Sequence, residues 1–197
     1  MMAQPLAGRN VLVYGVELPL GRKAAVALAE AGADVAVVTL TEDTAAEFAA
    51  NSTANEFWAI GRKGIALTSD GGETAFKEAI SDATAELGPI SVLVYHAPAP
   101  MPRTALAGLR SDPAIVVLLA SDADAAEGRA LLEWTRELAQ GGLRANAIVP
   151  ARALADAIGP LLKEHQPPEA VDVAQAAVYL ASDASAAVEG AVVVAGL

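Results

Sequence analysis

Residues 10–40 constrain the fold most, because they predict a strand, a helix and a second strand in close succession. Residues 11–14 form a short β-branched and aromatic run, which suits a strand buried on both faces of a parallel sheet. Residues 22–31 are rich in Ala and Leu and are followed by Gly32, a favourable helix terminus. Residues 34–40 form the next apolar run. A right-handed βαβ unit connects its elements this closely, so the sequence predicts a parallel α/β sheet.

The turn after the first strand contains two glycines, Gly15 and Gly21, of the kind that let backbone amides reach a pyrophosphate at a helix N-terminus. Pro19 stands between them, lacks an N–H and adds bulk where a phosphate would approach. Glu17 would repel a pyrophosphate unless its carboxylate points away. Two interpretations are open: a vestigial nucleotide site with Gly15 and Gly21 as its cofactor-binding residues, or glycines that serve only the turn and the packing of helix on strand. We favour the second.

The rest of the chain continues the alternation of apolar strands and amphipathic helices. Further strands are predicted at residues 65–68, 90–95, 114–120, 143–149 and 187–195, and further helices at residues 41–48, 74–87, 125–140, 154–163 and 169–182. Thr41 is the predicted N-cap of its helix, and residues 51–55 are predicted to interrupt that helix. The pattern predicts one domain over residues 1–197, an α/β, Rossmann-like, doubly wound parallel sheet of about seven strands.

Charge and composition exclude several classes of function. A net charge of −11 leaves no basic stripe for nucleic acid and disfavours an anionic membrane surface. The chain has no cysteine and only two histidines, His96 and His165, so neither a disulfide nor a metal site is expected. We find neither an apolar run of about eighteen residues nor a signal-peptide pattern at the N-terminus. We therefore expect a soluble, cytoplasmic protein.

Three later stretches carry a more specific pattern. Residues 87–94, Leu-Gly-Pro-Ile-Ser-Val-Leu-Val, resemble the Phe-Gly-x-Ile-Asp-x-Leu-Val motif of the short-chain dehydrogenase/reductase family. Residues 131–150 resemble that family's late helix and its strand ending in Arg-x-Asn-x-Ile-x-Pro, and residues 171–182 resemble its C-terminal helix. Together with residues 10–40, the resemblance covers nearly the whole chain. It implies a Rossmann fold, an NAD(P) cofactor and oxidoreductase activity.

The catalytic pair of that family is replaced in this sequence. The resemblance implies a Tyr that exchanges a proton with the substrate and a Lys four residues later that acidifies the phenol. Counting back from Thr135 and Arg136 along the matching helix places the Tyr position at Asp124 and the Lys position at Gly128. An aspartate is ionised at pH 7 and glycine offers no cation, so general acid catalysis by the family's mechanism is lost. Residues 121–124 supply N-cap candidates for the helix at residues 125–140. Ser121, near the family's Ser, is interpreted as a helix cap, and no catalytic residue is assigned.

Further departures fall around the expected cofactor site. The family's Asn-Asn-Ala-Gly is replaced by residues 95–98, Tyr-His-Ala-Pro. The acid expected after the third strand is replaced by Leu67 or Ser69, with Asp70 displaced from that position. The proline-rich connection at residues 98–113 is too short for the long helix that the family has there. One usual helix is therefore missing.

The missing helix and the remaining aromatic and histidine side chains allow further predictions. Without that helix, the helix at residues 125–140 is expected to expose an apolar flank that includes Trp134. Trp58 is expected to be a core or interface anchor. Tyr14 and Tyr95 are interpreted as filling the space that a nucleotide would occupy. His96 is interpreted as a loop histidine bonded to the backbone rather than as an acid or base.

Three functional hypotheses follow. The first is a catalytically silent family member that acts as a structural or regulatory subunit, beside a catalytic paralogue or as a homo-oligomer, with no cofactor. The second is an NAD(P)-dependent oxidoreductase acting on a carbonyl or alcohol through a non-standard site, supported by Gly15, Gly21 and residues 146–150 at the sheet edge. The third is a nucleotide-binding sensor that uses the vestigial site without turnover. The partner surfaces expected are the flank of the helix at residues 125–140 and the last strand with its helix.

Overall fold

The fold is a seven-stranded, wholly parallel sheet in the order β3-β2-β1-β4-β5-β6-β7. A computed structural model describes residues 4–150 and 173–195. The strands are β1 (Asn10–Tyr14), β2 (Asp34–Val38), β3 (Gly64–Leu67), β4 (Val92–Tyr95), β5 (Ala114–Leu118), β6 (Arg144–Pro150) and β7 (Val192–Ala195). The predicted α/β, doubly wound architecture is confirmed.

Helices cover both faces of this sheet. They are α1 (Pro19–Glu30), α2 (Thr44–Ala59), α3 (Glu73–Leu87), α4 (Ala125–Gln140) and α5 (Val173–Ala181). Alternate strand residues serve opposite faces, since Val11 and Val13 join the core under α1, α2 and α5, whereas Leu12 and Tyr14 join the core under α3 and α4. Both faces are buried, which explains the continuous apolar runs of the sequence.

The connection between β4 and β5 contains a 3₁₀ turn, Arg103–Leu106, and no α-helix, as predicted. Its apolar side chains Met101, Leu106 and Leu109 are buried in the core under α3 and α4. Arg103 anchors the loop by donating from Nη2 to the carbonyl oxygen of Gly141 (2.8 Å), just beyond α4. The loop thus covers part of the face from which a helix is missing.

That cover corrects the expectation of an exposed apolar flank on α4. Trp134 is buried, with 6% of its surface exposed, and its ring lies 4.8 Å from that of Tyr95. Trp58 is 70% exposed and its Nε1 donates to the carbonyl oxygen of Gly64, so it is not a core anchor, and its role as an interface anchor stays a prediction. The flank of α4 is therefore part of the core of this chain.

Helix α2 differs from the sequence prediction at its start and in its middle. Its N-cap is Asp43, whose carboxylate accepts hydrogen bonds from the amides of Ala45 and Ala46, rather than Thr41. The helix continues through residues 51–55 because Asn51 and Thr53 donate their side-chain hydrogen bonds to carbonyl oxygens one turn earlier. The polar side chains therefore bond to their own helix instead of ending it.

The last strand begins five residues later than predicted, at Val192 rather than 187. Asn146 on β6 explains the difference, since its side chain donates to Val188 O (2.8 Å) and accepts from Ala191 N (2.9 Å). These bonds hold the preceding segment in a loop. The predicted helix at residues 154–163 and the first residues of the predicted helix at 169–182 lie outside the described residues.

Over residues 4–150 and 173–195, no helix combines the length and the apolar character needed to cross a bilayer. Nor does this part of the chain bring together three or more His, Asp or Glu side chains in a group able to hold a metal ion.

Candidate functional site

Successive strands are added on one side of β1 up to β3 and on its other side from β4 onwards, and a crevice opens between β1 and β4 at the carboxyl ends of the strands. A cavity of about 630 Å³ lies in this crevice. Its walls come from the segments that follow β1, β2, β3, β4 and β5 and from the first turns of α4. Residues that line it include Leu18, Leu40, Tyr95, His96, Met101 and Leu131. The volume suits a small organic ligand.

The two glycines of the β1–α1 turn are required by backbone packing. Gly15 has a φ of +89°, and a Cβ there would lie 1.9 Å from the carbonyl oxygen of His96. A Cβ on Gly21 would lie 2.1 Å from the carbonyl oxygen of Gly15. Both positions therefore need glycine for the turn and for the approach of α1 to the strands, which supports the packing role favoured from the sequence. A cofactor-binding role for Gly15 and Gly21 stays a prediction.

Helix α1 begins without a side-chain cap. Leu18 is the N-cap residue, and Pro19 occupies the first position of the helix, where it supplies no N–H. Glu17 turns towards β2 and accepts a hydrogen bond at Oε1 from the amide of Leu40 (2.6 Å). Its Oε2 is buried without a partner among the described residues. Burial raises the pKa of the Glu17 carboxyl.

The β5–α4 turn carries a capping box where the sequence comparison placed the catalytic pair. The Asp124 carboxylate accepts from the amides of Ala126 (2.7 Å) and Glu127 (2.9 Å), and the Glu127 side chain accepts in return from the Asp124 amide. Hydrogen bonds from Glu127 and Ala126 lower the pKa of the exposed Asp124 carboxyl, so it is ionised at neutral pH. Of the cap candidates predicted at residues 121–124, Asp124 caps the helix and Ser121 does not.

The absence of the pair does not depend on how the helices are aligned. The sequence has no tyrosine between Tyr95 and Tyr179 and no lysine between Lys77 and Lys163. At Gly128 an added Cβ would lie 3.6 Å from a methyl of Leu119, so this position faces the end of β5. The whole of β5, the turn and α4 thus lack a phenol and an ammonium group.

His96 lines the cavity and is only 1% exposed. Its Nδ1 lies 2.9 Å from the carbonyl oxygen of Leu118, which can only accept, so Nδ1 carries the proton. Burial lowers the pKa of the imidazole, although the carboxylate of Asp122 opposes this shift. Nε2 has no hydrogen-bond partner in the described residues and is not fully buried, so its lone pair opens on the cavity. The predicted backbone bond is present.

Tyr14 and Tyr95 belong to an aromatic cluster below the crevice. Their rings stack at 5.5 Å, and Phe76 lies edge-on to Tyr14 at 4.7 Å. Both tyrosines are fully buried in the core under α3 and α4. They therefore belong to the core beside the crevice, and the cavity stays open next to Tyr95. The interpretation that they fill the space of a nucleotide stays a prediction.

Three other positions considered from the sequence are engaged elsewhere. Asn146 is occupied by the loop before β7, as described above. Ser69 is buried, and its hydroxyl accepts from the amide of Gly71 (3.0 Å) and lies 3.4 Å from the Tyr14 hydroxyl. Asp70 is exposed and accepts from the amide of Gly72 (2.7 Å). None of these three side chains lines the cavity.

Sequence reasoning missed two acidic residues at the cavity, Asp122 and Glu127. Both belong to the segment after β5, and the carboxyl ends of parallel strands meet at one edge of the sheet. That rule would have placed them near His96, which follows the neighbouring strand β4.

The family model described as short chain dehydrogenase matches residues 9–111, more than half of the chain. The chain belongs to the short-chain dehydrogenase/reductase family. Among curated members, the 2-dehydro-3-deoxy-D-gluconate 5-dehydrogenase of Dickeya dadantii (strain 3937) is 33% identical over 93 residues, which cover 47% of this chain. The match covers 34% of that enzyme, so this chain spans about a third of the length of the curated relative.

Solved structures of other proteins share this fold over almost the whole chain. A short chain dehydrogenase from Mycobacterium paratuberculosis bound to NAD has a TM-score of 0.73 at 19% identity and covers 97% of both chains. A blue fluorescent protein from a metagenomic library in complex with NADPH has a TM-score of 0.74 at 22% identity and covers 96% of this chain and 97% of its own. The shortened chain thus keeps the fold of the family.

Proposed function

We propose that this chain is a degenerate, catalytically silent short-chain dehydrogenase/reductase that acts as a structural or regulatory subunit of an oxidoreductase. The observation that carries the proposal is the capping box at the β5–α4 turn. Asp124 is ionised and engaged with two amides, and Gly128 has no side chain. Neither can deliver a proton to a carbonyl oxygen or acidify a group that does.

The residues present also suit a dinucleotide poorly. Pro19 removes an amide from the first turn of α1, and the Glu17 carboxylate lies next to that turn, bonded to Leu40. A pyrophosphate would meet a negative group and one donor fewer. NAD(P) is therefore not expected to bind, and if it does, Gly15 and Gly21 form the turn that would receive its pyrophosphate.

The proposed partner is a catalytic paralogue of the same family or a second copy of this chain. With the flank of α4 covered, the edge strand β7 with α5 is the other expected partner surface, and it is open over the described residues. Val192 is 51% exposed, and Val194 and Tyr179 are each 47% exposed. Apolar side chains on an edge strand favour pairing with another chain.

Two other functions have specific support. The accepting Nε2 of His96 would suit an oxidoreductase in which histidine, instead of tyrosine, takes the proton from an alcohol substrate. The open cavity would equally suit a sensor that binds a nucleotide without turnover. Turnover separates the first of these from the proposed function, and binding separates the second.

The deciding experiment is a spectrophotometric assay of the purified full chain with NADH, NADPH and their oxidised forms over a panel of aldehydes, ketones and alcohols. We expect no change in nicotinamide absorbance above the blank. The matched control is the His96→Gln variant, purified in the same way. Turnover that this substitution abolishes would replace the proposed function by the oxidoreductase, and turnover that survives it would indicate a contaminating enzyme.

A further inference from the structure

The cavity combines apolar walls with a small polar end. Leu18, Leu40, Met101 and Leu131 line it, and Tyr95 lies beside them. The polar end is formed by His96, Asp122 and Glu127, which come from the segments after β4 and β5 and from α4. A site with mostly apolar walls and a few convergent polar groups is the usual form of a small-molecule pocket.

The polar end offers acceptors. His96 donates from Nδ1 to Leu118 O, so its Nε2 presents a lone pair to the cavity. Asp122 and Glu127 present carboxylate oxygens, which only accept when ionised. A ligand that satisfies Nε2 must therefore supply an N–H or an O–H. A buried acceptor rejects a ligand group that has no hydrogen to donate.

The charge at the polar end is negative. Of the described residues that line the cavity, Asp122 and Glu127 are acidic and none is Lys or Arg. The whole chain, these two residues included, carries a net charge of −11. A cleft lined by one sign of charge attracts ligands of the other sign. A pyrophosphate is repelled there, whereas an ammonium group is attracted.

The geometry points to a small organic ammonium ion as the ligand of this cavity. Its apolar body lies against Leu40, Met101 and Leu131, one of its N–H groups donates to His96 Nε2, and its charge faces Asp122 and Glu127. The inference goes beyond the proposed function by giving the silent subunit a small-molecule input. The ligand undergoes no reaction. The inference rests on the proposed function in one respect, namely that no dinucleotide occupies the cavity.

The test compares ligands of one shape and different charge by isothermal titration calorimetry of the full chain at low ionic strength. The probes are 2-phenylethylamine, 2-phenylethanol and 3-phenylpropanoate, together with NADH. We expect the amine to bind about tenfold more tightly than the alcohol, the order of a single close ion pair near a protein surface. We expect the carboxylate and NADH not to bind measurably.

Variants identify the groups responsible. Asp122→Asn and Glu127→Gln each weaken binding of the amine several-fold and leave the alcohol unchanged. His96→Gln weakens both, because both donate a hydrogen. The matched control is Asp82→Asn on α3, which removes the same charge from an exposed carboxylate that does not line the cavity. Circular dichroism checks that Glu127→Gln, which also alters the capping box, leaves the fold intact.

Each other outcome overturns the inference in a distinct way. Equal affinity for amine and alcohol, or an amine affinity that neither carboxylate variant changes, removes the role of charge. Failure of all four probes to bind overturns the ammonium site and leaves the silent-subunit proposal standing. Binding of NADH in preference to the amine overturns the ammonium site together with the absence of cofactor in the proposed function.

Discussion

The β1–α1 turn and the β5–α4 turn leave the same edge of the sheet, yet they have kept different parts of the family pattern. The first keeps Gly15 and Gly21, where a Cβ would collide with backbone oxygens. The second keeps its helix and has a capping box in place of the Tyr and Lys. In this chain, positions fixed by packing match the family pattern, whereas positions needed only for proton transfer do not.

The largest loss of stability is expected when Trp134, the buried ring of α4, is removed. Trp134→Ala should lower the free energy of unfolding by about 3 to 5 kcal/mol, because a buried ring between α4 and the β4–β5 loop is lost. Urea denaturation followed by circular dichroism measures it. The control is Trp58→Ala, at a ring that is 70% exposed, which should cost about 0.5 kcal/mol or less. Equal losses would show that α4 is not a core helix.

Gly15→Ala tests the packing role of the first turn. The substitution should lower the free energy of unfolding by about 3 kcal/mol. An alanine there is strained by the positive φ, and its Cβ collides with the carbonyl oxygen of His96. Thermal and urea unfolding of the purified variant measure the loss.

Two variants separate these causes. Gly142→Ala has a positive φ of +82° and no atom within 4 Å of the added Cβ, so it should show only the strain, about 1 kcal/mol. Gly21→Ala introduces only the close contact, between its Cβ and the carbonyl oxygen of Gly15, without left-handed strain. If Gly15→Ala unfolds no more easily than Gly142→Ala, the glycine persists for a reason other than packing, and the nucleotide site returns as its explanation.

His96 provides a pH test of the crevice. Its pKa is lowered by burial, so the unfolded chain binds a proton near pH 6.5 that the folded chain refuses. The contribution of neutral His96 is fully present above about pH 6.5 and is lost as the pH falls towards the folded pKa, with a slope approaching about 1.4 kcal/mol per pH unit.

Glu17 has the opposite slope, because its raised pKa removes stability as the pH rises through the folded value. The measurement is therefore the difference between the wild type and His96→Gln in unfolding free energy at several pH values between 5 and 8. Parallel curves for the two proteins would mean that His96 titrates normally, with an imidazole that is not buried as described.

The smallest effect is expected at the second turn. Asp124→Ala should lower the melting temperature because two amides of α4 lose their acceptor, whereas Asp124→Asn keeps an acceptor and should melt close to the wild type. Thermal unfolding by circular dichroism compares the two. If the Asn variant melts as low as the Ala variant, the charge rather than the cap stabilises the helix.

Local signals in the sequence predicted much of this fold. Helix α4 was predicted at residues 125–140 and found there, because an acidic cap before it and Gly141 after it act within a few residues. The buried strands were predicted from their apolar runs. The predicted break in α2 and the predicted start of β7 were wrong. In each case a polar side chain bonds to a nearby backbone group, Asn51 within α2 and Asn146 to the loop before β7.

The candidate site was predicted in part. The loss of the Tyr and Lys is written in the residues themselves, and so is the absence of a helix between β4 and β5. The cover over Trp134 was not predicted, since it depends on a loop that begins more than thirty residues earlier in the chain. The accepting nitrogen of His96 was not predicted either, because it follows from a hydrogen bond to Leu118 on the next strand.

The residues alone predict the succession of strands and helices, the parallel sheet and the absence of the family's Tyr and Lys. Those properties follow from periodicity, from local caps and from which residue types are present. The folded structure was needed to show that a Cβ at Gly15 or Gly21 would collide with a backbone oxygen. It was also needed to show that His96, Asp122 and Glu127 line the same cavity. The reason is physical: contacts between strand ends far apart in the chain depend on how the sheet brings those ends together.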